Sequence, residues 1–315
     1  MLELKVSRSR IVAEGIRMLE LVCPSGQALP AFAPGAHIDL HLPGGLVRQY
    51  SLCNSPLDRT VYRIGVLLET CSRGGSTAVH ALSDGTLVSV SEPRNQFALD
   101  SSASHSVLLA GGIGITPLLC MAEHLSATRR SFELHYFVRT RSRAAFLDRL
   151  EAPDLKQNVA LHSDDQHDDF DVGTALRLAT ATNAHAYVCG PNGFIEAMLT
   201  SAVEAGFTQP QLHREYFTPV ATRGDEFKEF CVELARSGRS IRVSANETVV
   251  SALANAGVEI PVSCEQGVCG TCITKVLCGM PLHRDTVLTD AEHARNDQFT
   301  PCCSRSKSSV LVLDL

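Results

Sequence analysis

The chain has 315 residues, 44% hydrophobic and 20% charged, which is globular composition rather than disorder and enough for two or three domains. Lys and Arg number 28 against 34 Asp and Glu, a net charge of −6 with no basic stretch, which argues against nucleic acid as the main partner. No apolar run approaches the ~20 residues of a membrane span, and MLELKVSRSRIVAEG lacks the apolar core of an export signal. The expected setting is therefore cytoplasmic and reducing, and the 12 cysteines read as ligands or core thiols rather than disulfides.

The first hundred residues read as strands. His37 to Leu42 places apolar residues at every second position, as in a strand with one buried face. Pro43-Gly44-Gly45 is a turn, and Leu46 to Cys53 completes a hairpin. Val61 to Leu68 and Thr86 to Ser91 are further strands, with a short helix over Ser76 to Leu82. Together they suggest a small antiparallel barrel. After the run Ser101 to Ser104, short apolar strands at Val107–Ala110, Leu134–Val138, Val159–His162 and Ala186–Cys189 alternate with helical segments such as Pro117–Leu125. That order implies a parallel sheet covered by helices. Thr218 to Asp225 reads as a linker. Beyond it, Phe227–Leu234 and Ser240–Val243 flank the hairpin signal Ser237-Gly238. Thr248 can cap a helix that ends at Gly257, and Val310–Leu315 is a last strand. The domains expected are a β-barrel over 1–100, an α/β domain over 101–217, a linker over 218–225 and an α+β domain over 226–315.

The strongest signal is C-x4-C-x2-C at Cys264, Cys269 and Cys272, followed 29 residues later by Cys302. This is the plant-type spacing for a [2Fe–2S] cluster, with three thiolates from one tight loop and a distant fourth. Gly267 and Gly270 let the loop bend so that backbone N–H groups point at sulfur. Structural zinc favours two separated C-x2–4-C pairs, which this set does not supply. Cys303 adjoins Cys302 and competes with it; strand neighbours point to opposite faces, so only one of them can face the cluster. Ala256 to Cys272 closely resembles plant-type ferredoxins, and in that family the 29-residue gap selects Cys302. Cys231 and Cys278 match no ligand position and read as packing thiols.

Ala110-Gly111-Gly112-Ile113-Gly114-Ile115-Thr116-Pro117 follows a buried strand and opens a helix, so the backbone can approach a pyrophosphate. Cys189-Gly190-Pro191 ends another buried strand in a glycine turn, where parallel sheets bind ligands. The pair resembles the ferredoxin–NADP reductase superfamily. The resemblance assigns Gly111, Gly112, Gly114 and Thr116, with Cys189, Gly190 and Pro191, to a pyridine nucleotide, and puts Cys189 near the nicotinamide. Asp164 and Asp165 stand where family members that prefer NADPH often carry Ser-Arg. A carboxylate accepts from a free 2′-hydroxyl and repels a 2′-phosphate, so NADH is expected.

Arg48-Gln49-Tyr50-Ser51 matches the R-x-Y-S signature of the same superfamily. The resemblance places Tyr50 against a flavin ring, Ser51 at its N5 edge and Arg48 on its phosphate. Arg73, Gly74, Gly75 and Ser76 form a second phosphate cradle. His213-Arg214-Glu215-Tyr216-Phe217 resembles the H-x-E-x-F segment that closes the nucleotide domain, with Phe217 covering the flavin's other face. His37, Asp39 and His41 read as the polar face of a barrel strand rather than a metal site, and His162 and His167 as solvated.

The order of barrel, nucleotide domain and C-terminal ferredoxin resembles the phthalate dioxygenase reductase family and its vanillate demethylase relatives. The resemblance implies FMN, NADH and a [2Fe–2S] cluster, and electron delivery to a separate Rieske-type oxygenase. Ser51 and Cys189 lie near hydride transfer, and no acid–base dyad is needed. A diaphorase serving diffusible acceptors would not need Cys264 to Cys302. A zinc-binding scaffold would show neither flavin nor iron–sulfur absorption.

Overall fold

The structure, a computed structural model, describes residues 1–70, 72, 74–166, 170–180, 183–218 and 228–315. Arg73, His167 and linker positions 219–225 lie outside the described residues. The chain divides into two compact units, Met1–Glu215 and Tyr216–Leu315.

The first unit opens with β1 (Leu2–Ala13), β2 (Ile16–Val22), β3 (Ala36–Leu42), β4 (Leu46–Ser51), β5 (Tyr62–Leu67), helix α1 (Gly75–His80), β6 (Leu87–Val90) and β7 (Arg94–Asn95). The strands pair antiparallel in the order β4-β3-β6-β1-β2-β5, with β7 on β3. The two ends meet just past β4, where Leu52 bridges Ile64 and the Cys53 N–H donates to the Arg63 carbonyl at 2.9 Å. That contact closes the barrel around Val6, Leu19, Leu21, Ile38, Leu40 and Ile64. Alternation gave β3 one buried face, but His37 and Asp39 on the other face are also buried, at 5% and 6% exposure. Asp39 accepts from Gln49 at 3.1 Å and Arg94 at 2.5 Å, and His37 shares a 3.3 Å bond with Gln49, so the covered polar face is satisfied. His41 is exposed.

The same unit continues through β8 (His105–Gly111), α2 (Ile115–Ala127), β9 (Ser131–Val138), α3 (Leu147–Leu150), β10 (Val159–Ser163), α4 (Val172–Thr180), β11 (Ala184–Gly190), α5 (Asn192–Glu204) and β12 (Leu212–Tyr216). The sheet order is β10-β9-β8-β11-β12, and the β10–β9, β9–β8 and β8–β11 pairs are parallel. Val107 to Ala110 are wholly buried and every residue of β11 is buried, because helices cover both faces. The chain starts at β8, runs outward to β10, then crosses back to β11. The β8 and β11 ends therefore flank the switch point where such sheets bind ligands.

The second unit holds β13 (Phe230–Leu234), β14 (Arg239–Val243), α6 (Val249–Asn255), β15 (Thr274–Cys278), β16 (Pro281–Leu282), α7 (Asp290–Arg295), β17 (Gln298–Phe299), β18 (Arg305–Ser306) and β19 (Val310–Leu313). Its main sheet runs β14-β13-β19-β15-β17, with β13 and β19 parallel and the other pairs antiparallel. Thr248 caps α6, its hydroxyl accepting the Ser251 N–H at 3.1 Å. The apolar side of α6 packs Val249, Ala252 and Leu253 onto Val232, Val243, Phe299 and Leu311, a β-grasp arrangement. Among the described residues no helix is long and apolar enough to cross a membrane.

Candidate functional site

In the second unit the segment from Ser263 to Cys272 is an irregular loop whose bends fall at Glu265, Gly267 and Gly270, with φ of 53°, 75° and 70°. At Gly267 the space matters as well. A Cβ there would lie 2.3 Å from the Cys303 sulfur and 3.0 Å from the Asp285 Cα, so no larger residue fits. This path turns Cys264, Cys269 and Cys272 inward, and Cys302 joins them, each 4–5% exposed. Cys264 interacts with Cys269 and Cys302, and Cys302 with Cys272 and with its neighbour Cys303. These contacts draw the Cys264 thiol down and push the Cys302 thiol up. The Gln266 N–H donates to the Cys264 sulfur at 3.3 Å and the Thr271 N–H to the Cys269 sulfur at 3.4 Å. Four buried, unbridged thiols with amides aimed at sulfur are a donor set suited to iron and sulfide.

Pro301, Cys302 and Cys303 form a turn, so strand alternation is not what separates the two cysteines. Instead Cys303 is half-buried, and its sulfur is shared with the Thr300 hydroxyl at 3.3 Å on the Gly267 side. Cys278 is exposed, not packed, because it ends β15 on the solvent side; Cys231 is half-buried.

In the first unit Arg48 extends over Gly75 at the start of α1, and its Nη1 donates to the Val47 carbonyl at 2.8 Å. Ser76 accepts the Glu69 N–H at 3.2 Å and donates to Ser72, while the Gly74 N–H is bound by Ser72 at 3.1 Å. Tyr50 packs partly against the barrel core, and burial pushes its hydroxyl up to about 12. The Gln49 side chain turns to His37 and Asp39, so it serves the barrel rather than the Arg48–Gly75 corner. Ser51 is buried and its hydroxyl donates to Glu215 at 3.2 Å.

Glu215 is the residue that sequence reasoning passed over. Its segment was noticed, but only Phe217 was singled out. The residue as a whole is half-buried, yet its carboxyl is enclosed, and burial raises it to about 8 against the weaker opposing pull of Ser51. Cys189 is fully buried, and burial and the neighbouring Glu215 keep it a neutral thiol. Ser51, Cys189 and Glu215 thus converge from β4, β11 and β12. Phe217 is half-buried and belongs to the other unit.

The sign of the Glu215 effect follows from linkage. From about 4.5 up to about 8 the native state holds a proton that the unfolded chain has released, so stability falls as pH rises through that window. The Glu215→Gln variant should lack this slope, at most about 1.4 kcal/mol per pH unit. Urea midpoints at about pH 5.5 and pH 7.5 measure it, and parallel losses in parent and variant would refute the assignment.

The two glycine motifs meet at the switch point. A Cβ at Gly114 would lie 2.2 Å from the Cys189 carbonyl oxygen and 2.6 Å from the Gly190 nitrogen, so the α2 turn rests directly on that peptide. Gly111 abuts Pro191 and Phe194, and Gly112 has φ of 53°. The Thr116 hydroxyl, buried, donates to the Ile113 carbonyl at 3.0 Å. Asp164 and Asp165 are exposed past β10, and Ser163 donates to Asp165 at 2.6 Å, steadying that carboxylate. His162 is not solvated. It is 9% exposed, bonded to His135 at 3.0 Å and stacked on Phe137 and Phe170, with ring centroids 4.6 and 4.2 Å away.

Residues 232–307 match the family model described as a 2Fe-2S iron-sulfur cluster binding domain. The whole chain is 50% identical over 317 residues to a vanillate O-demethylase oxidoreductase of a Pseudomonas species, covering 100% of both. It is 39% identical to the phthalate dioxygenase reductase of Burkholderia cepacia, over 100% of this chain and 97% of that one. A solved phthalate dioxygenase reductase, described as a modular structure for electron transfer from pyridine nucleotides to [2Fe-2S], superposes with a TM-score of 0.79 at 38% identity, covering 100% and 98% of the two chains. The chain is therefore an oxidoreductase that belongs to the family of vanillate O-demethylase oxidoreductases and phthalate dioxygenase reductases, the reductase components of oxygenase systems.

Proposed function

We propose that this chain draws electrons from NADH and delivers them through FMN and a [2Fe–2S] cluster to a Rieske-type oxygenase in the cytoplasm. The domains that do so are taken as 1–100, 101–217 and 226–315, joined by 218–225. The observation that carries the reading is the convergence of Gly114 on the Cys189–Gly190 peptide next to the Ser51–Glu215 pair. These residues share one compact unit, which supports reading them as a nucleotide-binding edge beside a flavin-binding strand.

When bound, FMN would supply acceptance of a hydride from NADH, and the cluster would supply one-electron transfer. The chain's own residues do the rest. The Gly111–Gly114 turn and the α2 N-terminus receive the pyrophosphate, where backbone N–H groups face negative charge. Cys189 and Gly190 give the nicotinamide a flat, uncharged floor. Glu215 holds its proton at neutral pH, so no anion sits at the transfer edge. Arg48, with Arg73 and Gly74 to Ser76, would bind the flavin phosphate, and Tyr50 would give the ring an aromatic neighbour. Cys264, Cys269, Cys272 and Cys302 hold the cluster, and the Gln266 and Thr271 amides stabilise added charge on their sulfurs.

Asp164 and the Ser163-steadied Asp165 favour a free 2′-hydroxyl over a 2′-phosphate. NADH should bleach the flavin absorption anaerobically and give the reduced-cluster paramagnetic signal. Its kcat/KM should exceed that of NADPH by at least about tenfold, a difference of about 1.4 kcal/mol. Replacing Asp164 and Asp165 with Ser and Arg should narrow the gap. Equal kcat/KM for the two nucleotides sinks the specificity assignment, and flavin bleaching without cluster reduction sinks the route.

A further inference from the structure

Apart from the four thiols, the second unit gathers another set of donor atoms. His283 follows β16, Asp285 lies two residues on, and His293 projects from α7. One ligand atom from each lies within 4.8 Å of the others, a grouping found among the described residues without any use by the mechanism above. His293 Nε2 is 3.2 Å from one Asp285 oxygen and His283 Nδ1 is 3.8 Å from the other. The two imidazoles stack with centroids 4.3 Å apart.

Three features separate this group from an ordinary His–Asp pair. First, the His283 side chain is only 9% exposed, and its ring nitrogens have no hydrogen bond of good geometry beyond a loose contact with the Asn296 side chain. A buried imidazole in that state is less well compensated than buried polar groups normally are. Second, the ring stack with His293 and the Asp285 carboxylate bring three donor atoms within 4.8 Å of one another from two separate segments of chain. Third, the frame is fixed. Asp285 has no exposed side-chain surface and accepts the Leu288 N–H at 2.9 Å and the Thr300 hydroxyl at 3.2 Å. α7 is held by a Thr289–Glu292 capping box. His293 is 25% exposed and leaves an entry path.

We propose that His283, Asp285 and His293 bind a divalent cation of the Zn2+ class, as a site distinct from the four thiols. Two imidazoles and a carboxylate suit borderline metals and disfavour Mg2+ and Ca2+, which prefer all-oxygen shells. Donors around tetrahedral zinc stand about 3.3 Å apart, so the two histidines need only small rotations, and water completes the shell. The site lies directly behind the cysteine loop, because the neighbouring Thr286 N–H donates to the Gly267 carbonyl at 3.0 Å.

The test is calorimetric titration of the iron-loaded, full-length protein with zinc chloride in excess Mg2+. One zinc should bind per chain with a Kd of about 10 μM or tighter. His293→Ala, and separately His293→Gln as a milder change, should weaken it at least about tenfold, with iron content and visible absorption constant throughout. Absence of binding, unchanged affinity in both folded variants, or zinc uptake accompanied by iron loss would each overturn the proposal.

Discussion

Cys302→Ser should abolish the reduced-cluster paramagnetic signal, while Cys303→Ser should keep it. Cys302 lies with Cys264 and Cys272 in the buried thiol set, whereas Cys303 touches Cys302 of that set and otherwise faces Thr300 and Gly267. Serine presents a harder, less readily ionised oxygen, so one lost thiolate leaves iron short of a ligand. Cluster binding is coupled to folding of the unit that holds it, so thermal stability of residues 216–315 should fall with the cluster. Cys303→Ser removes a sulfur that touches the loop without completing the set, and its cost should be a small shift in midpoint potential. Dithionite-reduced samples of both variants decide, and a normal signal from Cys302→Ser contradicts the ligand assignment.

Gly114→Val should disable nucleotide use while leaving the cluster intact. A Cβ at 2.2 Å from the Cys189 carbonyl cannot be accommodated by a rotamer change, because the obstacle is backbone. Either the α2 turn or the β11 end must move, and both belong to the surface proposed above for the pyrophosphate and nicotinamide. A displacement near 1 Å at a reacting site costs about 100-fold in rate, so NADH-driven ferricyanide reduction should drop by at least about that factor in kcat/KM. The dithionite-reduced cluster signal, which reports the other unit, should match the parent. A change within about twofold would show that the two motifs do not form one site.

Much of this arrangement was legible because it depends on local spacing. The thiol set needs a loop bent at Gly267 and Gly270, and the spacing of Cys264, Cys269 and Cys272 is itself that loop. The Gly111–Gly114 and Cys189–Gly190 motifs each end a buried strand, and their meeting follows once those strands are neighbours. What depended on distant contacts was read less well. Glu215 carries no mark of its enclosure until Ser51 and Cys189 arrive from other strands. His162 lies near the end of an ordinary apolar strand and precedes acidic residues, so nothing nearby announces the stack with Phe137 and Phe170. The His283–Asp285–His293 group joins a loop to a helix and has no motif spacing. Strand alternation was the wrong ground for separating Cys302 from Cys303, since the two lie in a turn rather than a strand.

Electrons should leave through the second unit, and truncation after Asp225 removes that exit. Met1–Glu215 is a compact unit with its own cores, so the shortened chain should fold and retain flavin. NADH-driven ferricyanide reduction should then persist near the full-length rate, because it uses only residues of the first unit. Reduction of the partner oxygenase should be lost, because Cys264, Cys269, Cys272 and Cys302 are gone. A truncated protein that drives the oxygenase at the full-length rate would contradict the route through the cluster.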